Sequence, residues 1–190
     1  MTHIVKDSDT LTLGDSIHIK CLATPCHTQD SICYHVTSSS SSQPGGVFTG
    51  DTLFIGGCGR FFEGTGAEMH ASLRYLATLP DETITYVGHE YTKANAAFGR
   101  AGDPDNSALA RLEKLCKENE VTTGLSTIAD EKEWNVFMRL ESQPVLCVRE
   151  CLHALPVLIM SSRGHTGFKA GADEGLIMDK LREQKNNYRG

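Results

Sequence analysis

Hydrophobic and polar positions alternate through the first part of the chain. Over residues 16–22, Ile17, Ile19 and Cys21 alternate with His18 and Lys20, the pattern of a half-buried strand. Residues 32–37 form a second β-rich run, and Val47-Phe48-Thr49 a third. The serine tract at 38–42, followed by Gln43-Pro44-Gly45-Gly46, predicts a solvated hairpin-type loop within one sheet rather than a linker, because strands flank it closely. The period then lengthens. Thr65 with Glu68 three residues later has the form of a capping box, and Met69, Leu73 and Leu76 share one helical face. Leu79-Pro80-Asp81 stops that helix, and residues 83–87 read as a buried strand. Asp103-Pro104 predicts an N-cap with proline in the first helical position, after which Leu109, Leu112 and Cys116 line one face as far as about Asn119. A last helix is predicted over 174–184, with Leu176, Ile177 and Leu181 on one stripe. Strands, a helix, a strand and then mostly helix predict an α+β chain, with a helical region beginning near Tyr91.

Composition narrows the function classes. The chain has 190 residues, 18 Lys+Arg against 24 Asp+Glu, and a net charge of −6. That balance argues against a broad grip on nucleic acid and leaves room for a small anion in a local basic pocket. Seven cysteines are an odd number and too dilute for a disulfide scaffold, so reduced thiols in a cytosolic protein are expected. The first residues lack the apolar run of a secretory signal. The most apolar stretch, 145–160, is broken by Arg149, Glu150, His153 and Pro156 and is too short to span a bilayer. No membrane segment is expected, and a monomer is.

Three polar motifs follow strands: Thr24-Pro25-Cys26-His27-Thr28, Phe48-Thr49-Gly50-Asp51-Thr52 and Tyr86-Val87-Gly88-His89-Glu90. Each brings one His or Asp to a strand end, where binding residues concentrate. Any one of them alone reads as a turn residue. Three repeated placements favour a metal, and two imidazoles with a carboxylate suit zinc, iron or manganese. The two oxygens of Asp51 would allow it to bridge two ions.

These motifs, together with Gly57-Cys58-Gly59-Arg60-Phe61-Phe62-Glu63-Gly64-Thr65 and Gly88-His89-Glu90-Tyr91-Thr92, resemble glyoxalase II, or hydroxyacylglutathione hydrolase, of the metallo-β-lactamase fold superfamily. The likeness runs from about Leu11 to Arg139 and resumes weakly near Met178. It implies part of an αββα sandwich with a C-terminal helical domain, and a two-metal (zinc) site that cleaves S-D-lactoylglutathione to D-lactate and glutathione. By resemblance, His27 is a ligand of one metal, Asp51 the bridging carboxylate and His89 a ligand of the other. Arg60, Phe61, Phe62, Tyr91, Arg182 and Lys185 contact the glutathione thioester. A cytoplasmic location is implied, with mitochondria the family's second compartment.

The chain departs from that family in two places. The Thr-His-x-His-x-Asp-His metal motif is absent, so the chain is expected to start partway through the fold. Residues 1–90 would be the later part of the metallo-β-lactamase-like domain and 91–190 the helical glutathione-binding domain. Weak or no metal binding, an apolar sheet face and an open strand edge are then expected. The stretch at about 140–167 has no family counterpart and reads as an atypical insert; Cys147, Cys151, His153 and His165 within it lack the spacing of a metal site. Two alternatives stand beside the hydrolase: a non-catalytic glutathione-binding remnant, and a persulfide-dioxygenase-like enzyme with one iron. The Phe61-Phe62-Glu63-Gly64 run and the helical tail favour the hydrolase family over the latter.

Overall fold

A computed structural model describes residues 3–141 and 173–189. The insert assigned to about 140–167, with its cysteines and histidines, lies outside the described residues except for its first two positions. In chain order the described residues form β1 (Thr10–Leu13), β2 (Ile17–Ala23), β3 (Ile32–Ser38), β4 (Gly46–Gly50), β5 (Leu53–Phe54), β6 (Gly57–Cys58), α1 (Gly66–Leu76), β7 (Ile84–Val87), α2 (Thr92–Gly102), α3 (Ser107–Glu118), α4 (Ile128–Trp134), a 3-10 turn (Val136–Met138) and α5 (Glu174–Asn187).

Five strands make one mixed sheet in the order β1-β2-β3-β4-β7. The first four pair antiparallel, the serine-rich loop closing the β3–β4 hairpin, and β7 runs parallel to β4. A parallel pair needs a crossover, and α1 lies within it. Alternation decides which face is covered. Leu22, Cys33 and Val47 point to one side, where Met69, Leu73 and Leu76 of α1 and Ile128 of α4 complete a buried cluster. The neighbouring row, Cys21, Tyr34, Phe48 and Tyr86 in register, faces the other way. Phe48 stacks on Tyr86 at 4.9 Å yet remains 48% exposed. The expected apolar sheet face is therefore present, and β1 pairs only with β2 among the described residues.

The predicted capping box holds: the Glu68 N–H donates to Thr65 Oγ1 and the Thr65 N–H to Glu68 Oε2. The C-terminal helix returns to the same place. Asp179 Oδ1 accepts the Gly66 N–H at 2.8 Å, and Glu174 pairs with His70 at 2.9 Å. Ile177, Met178 and Leu181 join the α1 cluster, while Leu176 is 58% exposed. The buried stripe of α5 thus runs through Met178 instead of Leu176.

Residues 92–102 form a helix that the apolar pattern does not announce, since Ala96 and Phe98 are its only buried large or methyl-bearing apolar side chains. Asp103 closes α2 instead of opening α3. Its carboxylate is taken by Arg139 and Asn106, and Asn106 caps α3 by accepting the Ala108 N–H. A second buried cluster, with Ile55, Leu109, Leu112 and Trp134, joins α2, α3 and α4 to the β5–β6 turn.

Candidate metal and anion site

His27 follows β2, Asp51 follows β4 and His89 follows β7, so the sheet brings three sequence-distant motifs to one edge. His27 Nε2 lies 3.3 Å from Asp51 Oδ2, and His89 Nε2 lies 3.3 Å from Asp51 Oδ1. Local backbone sets this geometry. Gly50 adopts φ +49°, in the left-handed region, and the β4–β7 register shifts between Phe48 and Gly50, which re-aims the strand end. Gly59 passes so close beneath Asp51 that an added Cβ would fall 1.8 Å from the Asp51 carbonyl oxygen. His27 Nδ1 stands 3.0 Å from the Arg60 carbonyl. When it donates there, the Nε2 lone pair is left facing the carboxylate, the tautomer that suits a cation between them.

The donor types therefore fit a divalent ion, but their number does not. Each position has one imidazole and one shared carboxylate oxygen, whereas zinc sites draw three or four protein ligands. Among the described residues, no three His, Cys, Asp or Glu side chains are placed to hold one ion.

Aromatic rings surround these groups. Tyr91 stacks on His89 at 5.0 Å, and Phe54 meets both, at 5.2 Å from Tyr91 and 6.0 Å from His89. Phe62 is 67% exposed with its ring 5.0 Å from His27, whereas Phe61 packs partly buried against the core. Glu90 anchors the turn that carries His89 and Tyr91. It accepts the Thr122 and Thr123 N–H groups and the Thr122 hydroxyl. Burial alone would raise its pKa, but these bonds outweigh burial and hold the carboxyl below its ordinary value.

The opposite wall is cationic. A cavity of about 460 Å³ is lined by Asp51, His89 and Tyr91 on one side and by Arg60, Arg182 and Lys185 on the other. Arg182, 9% exposed, donates from Nη1 to the Cys58 carbonyl (2.9 Å) and from Nε to Asn186 Oδ1 (3.1 Å), and it lies 5.6 Å from the Phe137 ring centre. Lys185 donates to the Ala94 carbonyl at 2.6 Å, over the Phe98 ring. Burial, and then the charge of Arg182, push the Lys185 ammonium down to about 8. Burial likewise lowers Arg182. Among the described residues, the groups hydrogen-bonded to these two cations are carbonyls and an amide. Partly desolvated cations held by neutral groups suit an anion.

Of the residues assigned by resemblance, Asp51, Arg60, Phe62, His89, Tyr91, Arg182 and Lys185 line this cavity, His27 adjoins it through Asp51, and Phe61 is not among its lining. Two contributors were not foreseen, Glu131 and Asn135, which hold the β5–β6 turn from α4 and its end. Thr127 with Asp130 three residues later forms a capping box at the start of α4 and was the available signal for that helix. The buried carboxylate itself has no signature in sequence.

The chain is similar to known proteins over nearly its whole length. A family model described as "Hydroxyacylglutathione hydrolase C-terminus" matches residues 90–188. A probable hydroxyacylglutathione hydrolase of Schizosaccharomyces pombe is 48% identical over 187 residues, covering 98% of this chain and 63% of that protein. The cytoplasmic isozyme of hydroxyacylglutathione hydrolase from Saccharomyces cerevisiae is 43% identical, covering 98% and 65%. The chain therefore spans less than two thirds of the length of these relatives. Among solved structures, a metallo-beta-lactamase from Staphylococcus aureus aligns with a TM-score of 0.53 at 23% identity, over 95% of this chain and 43% of that one, which is a likeness of fold.

Proposed function

Since the chain belongs to the hydroxyacylglutathione hydrolase family, we propose that it serves hydrolysis of a glutathione thioester, S-D-lactoylglutathione, to D-lactate and glutathione. The observation that carries this reading is one cavity with two unlike walls. Arg182 and Lys185 stand where the carboxylates of glutathione would pair with them, and Arg60 adds a guanidinium fork. Tyr91 and Phe62 flank the path from those cations to the strand ends and would hold the thioester over Asp51. Phe54 and Tyr91 pack on the His89 ring, whose side chain stays half exposed. A divalent metal, zinc on this reading, would polarise the thioester carbonyl when bound; His27, Asp51 and His89 are the residues that would help to hold it. The described residues do not complete that site, so no step of the reaction is assigned to it. We read the chain as a cytoplasmic monomer; the cytoplasmic isozyme among its relatives supports the location.

The short donor set favours a second reading: a chain that binds glutathione without hydrolysing the thioester. One experiment separates the two. The purified 190-residue chain is titrated with glutathione by calorimetry and assayed with S-D-lactoylglutathione in the presence of zinc. Binding with zinc-dependent turnover supports the hydrolase, and binding without turnover supports the second reading. Absence of binding removes both.

A further inference from the structure

We propose that Glu131, acting with Asn135, is a positioning residue for the substrate cavity: the pair pins the turn over residues 54–58, and through it the Phe54 ring and the Cys58 carbonyl. The proposal rests on the glutathione reading only for what the cavity holds; the clamp itself stands on geometry.

Glu131 is fully buried. Its Oε2 accepts the Gly56 N–H at 2.9 Å and Asn135 Nδ2 at 3.0 Å, and its Oε1 accepts Trp134 Nε1 at 3.0 Å. Asn135, also fully buried, donates from Nδ2 to the Gly57 carbonyl at 3.0 Å and, more loosely, to the Phe54 carbonyl at 3.4 Å. Asn95 of α2 adds a bond to the Ile55 carbonyl at 3.1 Å. The Gly56 N–H and the Phe54, Ile55 and Gly57 carbonyls are thus held by side chains from the helical region. A carboxylate suits this position because the Gly56 N–H, Asn135 Nδ2 and Trp134 Nε1 are all donors and it is acceptor-only when ionised. A glutamine would set its own N–H₂ against another donor and leave one buried N–H unpaired.

The turn feeds both walls of the cavity. Phe54, at its start, packs on His89 and Tyr91. The Cys58 carbonyl, at its end, receives Arg182. Both residues line the cavity. Loosening one buried clamp therefore moves the aromatic wall and the anion wall together.

The clamp has its own spectroscopic reporter, since Trp134 is the only tryptophan of the chain. Burial pushes the Glu131 carboxyl up to about 7, against the hydrogen bonds from Gly56, Asn135, Trp134 and Ser126. The charged group facing the Trp134 ring is Arg111 of α3, 5.9 Å from the ring centre, and its charge is taken by Glu133 and Asp130 of α4. The turn and α2 present Gly56 and Asn95, which are uncharged.

The test compares the full chain with Glu131→Gln in three measurements. Trp134 fluorescence of the wild type is expected to titrate with a midpoint near 7, and that of the variant to be flat over the same range. The amide protection factor at Gly56 is expected to fall about tenfold in the variant while α1 amides keep theirs, and glutathione affinity by calorimetry to fall about tenfold. Unchanged protection at Gly56, or unchanged affinity despite lost protection, overturns the proposal. If the wild type binds no glutathione but protection at Gly56 still falls, the clamp stands and the reading of the cavity fails. Should Glu131→Gln not fold, Glu131→Asp decides: it keeps the charge but shortens the reach to the Gly56 N–H, and unchanged Gly56 protection in that variant overturns the proposal.

Discussion

The two walls of the cavity are built on different principles. The strand-end wall places His27, Asp51 and His89 by backbone geometry. Turns at the ends of three strands bring them together, aromatic rings flank the two imidazoles, and among the described residues the donor set stops at two per ion position. The helix wall places Arg182 and Lys185 by packing. Each cation is wedged over an aromatic ring and tied to a carbonyl of a distant segment. A wall set by backbone is sensitive to glycine positions and tolerant of its own side chains. A wall set by packing is the reverse, and its cations are held in place by rings and carbonyls.

Four changes test that contrast, taken from the largest expected effect. Gly59→Ala forces a Cβ onto the Asp51 carbonyl oxygen; it should destabilise the chain by about 3 kcal/mol in urea unfolding and displace Asp51. Arg182→Met keeps the bulk and removes the buried charge; glutathione affinity should fall by about 2 kcal/mol, roughly 30-fold, in calorimetry. Lys185 makes binding pH-dependent. Its ammonium, lowered to about 8, loses charge as pH rises through that value, so glutathione affinity should drop about tenfold across the transition, and Lys185→Met should abolish the dependence. The folding linkage has the opposite sign to that of a stabilising ion pair. Between the lowered native value and the ordinary lysine value the unfolded chain binds more protons, so the contribution of Lys185 to stability rises with pH over that interval. The smallest effect is expected at Asp51. Asp51→Ala should change stability by no more than about 0.5 kcal/mol, because the side chain is partly exposed and meets only imidazoles. A large loss at Asp51 or a small one at Gly59 would reverse the contrast.

Legibility from sequence followed the same division. Strand alternation around Ile17–Ala23 and the Thr65–Glu68 capping box are local signals, and the structure keeps both. The three strand-end motifs were readable because each pairs a ligand-type residue with a turn. The pieces that failed are tertiary in origin. Helix α2 carries little apolar periodicity and exists because Ala96 packs on α3 and Phe98 against α5 and its tail. Asp103 has the form of an N-cap, but Arg139, 36 residues away, draws its carboxylate and leaves capping to Asn106. Glu131 looks like any helix-surface glutamate until the β5–β6 turn is laid against it.

The last helix has a consequence for how the protein comes into being. Asp179 reaches Gly66, Arg182 reaches Cys58 and Lys185 reaches Ala94 across 113, 124 and 91 residues of chain. Closing such loops adds only a slowly growing entropic cost, but contacts of this range slow the search for the native state. During synthesis from the N-terminus, the sheet and α1 leave the ribosome well before α5 exists as a helix. Met69 and Leu73 then lack the Ile177, Met178 and Leu181 side chains that cover them in the finished molecule. Proteolysis of ribosome-held chains of increasing length should find α1 protected only once the last turn of α5 is outside. Until that moment the nascent protein has a sheet and a greasy helix without the cations of α5, and a stop codon after Met178 would remove Arg182, Lys185 and the core residue Leu181 together.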